Sequence, residues 1–396
     1  MKLFYKLFIN NYINIKYKFL FYKIFFILLI ISIIYFFQNF FQNELYEAEK
    51  YLKLFTKKPM LDININNYIR MKNPKISIIS AIYNKENFIS RFLASIQYQS
   101  FKEIEIILID DCSIDNTVNI IEKLQKKDKR IILIKHFKNN GTLKSNGEYL
   151  LISDPDDILL NDILNKSYKM VKKFNYDILR FDACIGKYTI YMKDIFKKVK
   201  IKPIYQPELS SYIFYGKGYL DQIDFVLWNK FIKREILIQV LNSIDKFYLN
   251  QYMISYEDGL INFILYKTAN SYYYIRNIGY YYLYNINSIS FNHNNNKIIE
   301  KLIYNNFLYL KFIFQYIKKR NLEKNIFSYI LNIMQKMDFN NQNFKNIQKN
   351  FNFYYKLIDL FLSSEFISLS DKQILENIKI QIKKSENKIF NFKNIK

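Results

Sequence analysis

The sequence predicts an α/β protein in which a Rossmann-like mixed sheet is flanked by helices, with a transmembrane helix ahead of it and a helical tail behind. Three observations carry that reading. Apolar runs of strand length alternate with stretches of helical period between Ile76 and Phe181. Acidic residues stand directly after two of those runs, at Asp110-Asp111 and from Asp154 to Asp157. Near the N-terminus, Phe19 to Phe37 is apolar except for Lys23 and Ser32.

The apolar run has the length of about 20 residues that crosses a bilayer's hydrocarbon core, and Lys23 can snorkel to one side of it. Lys2, Lys6, Lys16, Lys18 and Lys23 precede or open the run and Glu44, Glu47 and Glu49 follow it, which places the N-terminus in the cytoplasm. Residues 1–18 are then a basic cytoplasmic segment and 19–37 a single-pass signal-anchor; Gln38 to Gln42 is too bulky for a signal-peptide cleavage site. Residues 38–73 read as a stem, closed by Asn73-Pro74, where proline discourages helix.

Ile76 to Ile82 is a near-continuous apolar strand, and Phe88, Phe92 and Ile96 follow at helical spacing. Ile104 to Ile109 gives a second strand, Val118, Ile121 and Leu124 the face of a second helix, and Ile131 to Ile134 a third strand. A fourth strand over Tyr149 to Ser153 is reached through the twelve residues from His136 to Gly147. That is near the lower limit for a parallel crossover, leaving room for a very short helix at most. Helix and strand resume over 162–185, and a less regular region follows. From Ile299 on, Ile303, Phe307, Leu310, Phe314 and Ile317 share one helical face, for which packing on the main domain is preferred over a membrane-surface role. The division expected is 74–295 for the main domain, with halves 74–185 and 186–295, and 296–396 for a helical Asn- and Lys-rich tail.

Composition narrows the chemistry. The formal charge of +24 accompanies a chain-wide abundance of Lys, Asn, Ile, Tyr and Phe, not a local basic patch, so nucleic acid is not an expected partner. Cys112 and Cys184 are the only cysteines and His136 and His293 the only histidines, which excludes a cysteine-built zinc site and directs acid–base work to carboxylates. In open α/β sheets ligands sit beyond the carboxyl ends of the strands. Acids at Asp110-Asp111 suit a nucleotide there, and Asp154-Pro155-Asp156-Asp157 suits a divalent cation, although such a turn alone also serves as a helix cap.

From about Pro74 to Ser290 these residues resemble the family 2 glycosyltransferases, inverting enzymes of the GT-A fold that use nucleotide-sugar donors. The opening motif appears as Ser77-Ile78-Ile79-Ser80-Ala81-Ile82-Tyr83-Asn84, with Ala81 where proline is usual, and Asp110-Asp111-Cys112-Ser113-Ile114-Asp115-Asn116-Thr117 matches Asp-Asp-x-Ser-x-Asp-x-Thr in full. The resemblance implies that Ala81, Tyr83, Asp110, Asp111 and Asp154 line the nucleotide, Tyr83 packing on the base and Asp111 accepting from uracil. It likens Asp154 to Asp157 to a D-x-D motif holding Mn²⁺ or Mg²⁺ through Asp156, with Asp157 as a second ligand. Leu227-Trp228-Asn229-Lys230 resembles the segment under the acceptor, placing Trp228 there, and Tyr256-Glu257-Asp258-Gly259 the Glu-Asp motif, with Asp258 as general base beside Glu257. Glu257-Asp258 also reads as a helix start, which suits acids equally.

The departure falls after Thr142, where the family's helix bearing a donor-facing cation is mostly absent; Lys144 is the substitute on offer. The expected activity is transfer of a sugar from a nucleotide diphosphate, UDP first, to a hydroxyl of a glycan, lipid or protein. The open alternative is a catalytically impaired member acting as a binding or scaffolding subunit. For a eukaryotic source the resemblance and the single-anchor topology imply the endoplasmic reticulum or Golgi.

Overall fold

A computed structural model describes residues 68–135, 144–160, 162–185, 202–209, 226–244, 257–283, 304–305, 307–316, 355–356, 358–359, 361–363 and 369–393. Contacts divide the chain into Met1–Lys57 and Lys58–Lys396, and all described residues belong to the second unit. The expected anchor at 19–37, most of the stem, residues 136–143 of the crossover, Tyr256 and both histidines lie outside the described residues. Among the described residues no helix is long and apolar enough to cross a membrane.

The elements follow the hydrophobic pattern closely through the first half. Strand β1 (Ile76–Ile82) leads to α1 (Ile89–Gln97), β2 (Ile104–Asp110) to α2 (Thr117–Lys127), and then come β3 (Ile131–Lys135) and β4 (Tyr149–Ile152). The short β5 (Ile158–Leu159), α3 (Ile163–Phe174), β6 (Ile178–Ile185), β7 (Ile204–Tyr205), β8 (Lys230–Lys233), α4 (Arg234–Ser243), α5 (Glu257–Thr268), β9 (Ser271–Tyr282) and α6 (Leu369–Lys393) complete the named elements.

The strands form one mixed sheet in the order β3-β2-β1-β4-β8-β6-β9-β5, with β7 paired to β9. The β3-β2-β1-β4 half is parallel, β8 runs antiparallel to both neighbours, and β6 and β9 are parallel. Period-two alternation sorts side chains to the two faces. Ile76, Ile78, Ile104, Ile106 and Leu108 pack with Phe92, Leu93 and Ile96 of α1. Ile79, Ile107, Leu150 and Ile232 pack on the other face with Leu237 and Val240 of α4 and Phe263 and Ile264 of α5.

The same second core includes Leu310, Ile313 and Phe314, together with Leu375, Ile378 and Ile382 of α6. The apolar stripes of the tail are therefore spent on the main domain, as preferred from the sequence; Ile303 and Ile317 lie outside the described residues.

Strands β3 and β4 are separated by β2 and β1, so the chain covers about 15 Å across the sheet and about 17 Å back along it. Twelve residues reach about 40 Å when extended. What the described end of the connection shows is a latch. Glu105 is buried and accepts from Ser77 Oγ (2.6 Å) and from the Asn146 N–H (2.5 Å), while the Gly147 N–H donates to Ser77 Oγ (2.8 Å). Arg234 Nε donates to the Ser145 carbonyl (2.7 Å), pinning the same segment from α4.

Candidate active site

Two loops at the carboxyl end of the parallel strands are laced together by their own motif residues. The Asn84 N–H donates to Ser113 Oγ (2.9 Å) and the Ile114 N–H to Asn84 Oδ1 (3.0 Å). The Lys85 N–H donates to Thr117 Oγ1 (2.7 Å), the Glu86 N–H to Asp115 (3.1 Å), and the Asn116 N–H to Glu86 (3.0 Å). Asp110 is buried and accepts from the Ser113 N–H at 3.2 and 3.3 Å, closing the turn. Ser113, Asp115 and Thr117 thus build the loop pair, and backbone is spent on it too: Asn84 and Cys112 sit at φ of 50° and 62°.

What the loops leave outward is selective. Ala81, Tyr83 and Asp111 are exposed, Tyr83 at 55%. The Asp111 N–H donates to the Ile82 carbonyl (2.8 Å), while its carboxylate has no protein partner among the described residues. A planar ring and a free carboxylate side by side on a rigid frame are what a nucleobase needs, stacking on one and a ring N–H donating to the other.

The turn after β4 is bolted from β9. Tyr280 Oη accepts from the Asp154 N–H (3.0 Å), donates to Asp157 Oδ2 (2.8 Å) and lies 3.4 Å from Ser153 Oγ. The Leu283 N–H donates to the other Asp157 oxygen (2.8 Å), so both oxygens of this buried carboxyl are engaged. Asp156 meets Lys85 Nζ at 2.7 Å. Burial, then the charges of Asp258 and Asp156, push the Asp154 carboxyl up to about 7. Burial pushes Asp157 up as well, with Asp154 and Asp156 adding to it.

Asp258 stands on the first turn of α5, half-buried, and its Oδ2 accepts from the Leu227 N–H (3.1 Å). Burial first, and the charge of the exposed Glu257 beside it, push its carboxyl up to about 7, against the Leu227 N–H and the cation of Lys230. The pair opens a helix, and Asp258 lies within the field of the Asp154 carboxyl. Trp228 is buried and stacks on Tyr280 with centroids 4.5 Å apart, joining the Asp258 side to the acidic turn.

The glycosyl transferase family 2 profile matches residues 77–241, the span that holds both laced loops, the acidic turn and Trp228. Over that stretch the chain is similar to the family 2 glycosyltransferases. An uncharacterized glycosyltransferase of Haemophilus influenzae is 28% identical over 243 residues, 46% of this chain and 97% of that protein. The GalNAc(5)-diNAcBac-PP-undecaprenol beta-1,3-glucosyltransferase of Campylobacter jejuni is 38% identical over 104 residues, 23% of this chain. The chain spans about a third of that relative's length, 33%. Among solved structures, S. aureus TarS shares the fold with a TM-score of 0.55 at 16% identity, over 80% of this chain and 54% of that one.

The acidic turn can supply part of a divalent cation's ligand set. Among the described residues no group of three or more His, Cys, Asp or Glu side chains is gathered to hold an ion by itself. Asp154 and Asp156 nonetheless offer hard oxygens, and the upward push on Asp154 marks negative charge that Lys85 only partly offsets. That donor set suits an ion whose remaining ligands are phosphate oxygens and water.

The structure brings together Ala81, Tyr83, Asp110, Asp111, Asp154, Asp156, Asp157, Trp228, Glu257 and Asp258 around one end of the sheet. It does not bring Lys144 there. Lys144 lies two residues before Asn146, which is bound to Glu105 at the opposite, amino-terminal end of β2. The cations at the site are ones to which motif reading gave no role. Lys85 reaches Asp156, Lys230 is buried beneath Asp258, and Arg91 of α1 is held below the usual guanidinium range by burial while facing Asp157, Tyr281 and Asp156. Lys85 follows directly on Tyr83-Asn84, and that adjacency was the available signal.

Proposed function

We propose that this protein transfers a sugar from a nucleotide diphosphate, UDP by first choice, to an acceptor hydroxyl with inversion. The carrying observation is Asp258: a carboxyl raised to about 7, fixed by the Leu227 N–H and placed within the field of the acidic turn. A general base works best when its pKa lies near the operating pH. In the displacement, Asp258 takes the acceptor hydroxyl's proton, the acceptor oxygen bonds to the anomeric carbon, and the bond from that carbon to the diphosphate oxygen breaks.

Tyr83 stacks on the base, Asp111 accepts from it, and Asp154 and Asp156 face the diphosphate. Mn²⁺ or Mg²⁺ held by Asp156 and Asp154 would supply Lewis-acid stabilisation of the departing diphosphate. Asp157, with both oxygens engaged by Tyr280 and Leu283, holds the turn in shape. The C. jejuni relative's name supports a hexose donor and a lipid-linked glycan acceptor. Its β-linkage is what inversion of an α-linked nucleotide sugar yields. Residues 19–37 would hold the enzyme at the membrane where such an acceptor resides, with the N-terminus in the cytoplasm.

The test is nucleotide release from a panel of UDP- and GDP-sugars with Mn²⁺, using the full chain in detergent. Release from one donor that disappears in Asp258→Asn supports the reading. A folded protein that releases nucleotide from none overturns it in favour of the binding-subunit alternative.

A further inference from the structure

We propose that Lys85 is a cationic ligand for the donor's diphosphate, parked on Asp156 until a divalent cation takes its place. This rests on the nucleotide-sugar reading above and adds a residue and an order of events to it. The ion pair is short, 2.7 Å, and partly open to solvent, with the Lys85 and Asp156 side chains 24% and 15% exposed. Both partners can therefore be reached by a ligand.

The backbone beneath Lys85 is fixed. Its own N–H is bound to Thr117 Oγ1, and its neighbours Asn84 and Glu86 are tied to Ser113, Ile114, Asp115 and Asn116. Only the four-carbon stem is left to move, and it lies over the Phe88 ring, from whose centroid Nζ is 5.6 Å. A lysine on a rigid base with a flexible stem is a point charge that can be handed from one anion to another.

Position gives the hand-over its direction. Lys85 lies two residues beyond Tyr83 and reaches the acidic turn, so Nζ sits between the place for the base and the place for the metal. That is the interval a nucleotide's diphosphate spans. A divalent ion carries twice the ammonium's charge and wins Asp156 when present. The displaced ammonium then stays within a stem's length of the phosphate oxygens, which it can hold by charge-assisted hydrogen bonds.

The consequence is a pair of effects of opposite sign. In the full chain, Lys85→Met removes the competitor and tightens binding of Mn²⁺ alone by about three- to tenfold, read by electron paramagnetic resonance of free Mn²⁺. The same variant weakens UDP binding at saturating Mn²⁺ by about tenfold, read by calorimetry. Lys85→Arg restores both values toward wild type, and an unchanged unfolding temperature shows that the variants are folded. A merely structural lysine would move both affinities the same way or neither. Either result in Lys85→Met, or Mn²⁺ binding weakened by it, overturns the proposal while leaving the nucleotide-sugar reading intact. Wild-type protein that binds neither Mn²⁺ nor UDP overturns both.

Discussion

Asp258 serves two opposed requirements, and each can be measured. In the proposed role of base it must be ionised, yet burial and Glu257 favour its neutral form, raising it to about 7. Activity should accordingly fall as pH drops through about 7, whereas an acid limb near 4, the range of an ordinary carboxyl, would remove Asp258 from the role. Stability runs the other way. A folded carboxyl raised above its unfolded value binds more protons in the folded state across the window from about 4 to 7, so its penalty grows as pH rises through that window and is full above it. Asp258→Asn keeps an oxygen to accept from Leu227 and abolishes the penalty. Thermal unfolding should show it stabilised by about 1–2 kcal/mol at pH 8 and by less at pH 5, with turnover lowered by about a thousandfold. Loss of activity with equal loss of stability would instead mark a structural residue. Legibility at this scale was uneven. Asp258 and Asp111 stood out because their motifs are short and contiguous, whereas Lys85, Lys230 and Arg91 meet the site's acids across gaps in sequence, so adjacency to a motif could flag Lys85 and Lys230 but could not name their partners.

At the scale of elements, the acidic turn is held by a strand more than a hundred residues away. The hydroxyl of Tyr280 on β9 contacts both the Asp154 N–H and Asp157. Tyr280→Phe should cost about 1–3 kcal/mol, because it leaves a buried carboxyl short of a donor, and should raise the Mn²⁺ needed for half-maximal turnover. A variant with lowered stability but an unchanged Mn²⁺ requirement would confine Tyr280 to packing. Gly147 is a second junction. A Cβ there would lie 2.5 Å from the Ser77 nitrogen and 2.6 Å from its Oγ, breaking the Glu105 latch where β4 enters the sheet. Gly147→Ala should lower the unfolding midpoint by at least about 2 kcal/mol in denaturant titration. The strands of the parallel half, β1 to β4, were readable to within a residue or so, since near-continuous apolar runs of strand length leave little ambiguity. The antiparallel β8 and the pairing of β5 and β7 with β9 were not, because pairing partners are chosen by the packing of distant segments.

On the scale of the whole molecule, the tail completes a core. Leu375, Ile378 and Ile382 of α6 are fully or almost fully buried in the cluster that also holds α4 and α5. Replacing Leu375 or Ile382 with Ala should cost about 2–4 kcal/mol each and lower activity only through unfolding, as activity at low temperature with chemical unfolding curves would show. Undiminished stability would mean that α6 is an appendage.

The sequence by itself determined the parallel half of the sheet, the position of the acids at its carboxyl end and the family, because strand periodicity and contiguous motifs are local properties of the chain. Tertiary structure alone decided which charges meet. It joined Lys85 to Asp156, carried Lys144 to the far end of the sheet, set Tyr280 beneath the acidic turn and gave Asp258 its Leu227 donor. Those outcomes depend on strand order and burial, and a carboxyl's proton affinity is set by the neighbours and solvent that the fold assembles around it.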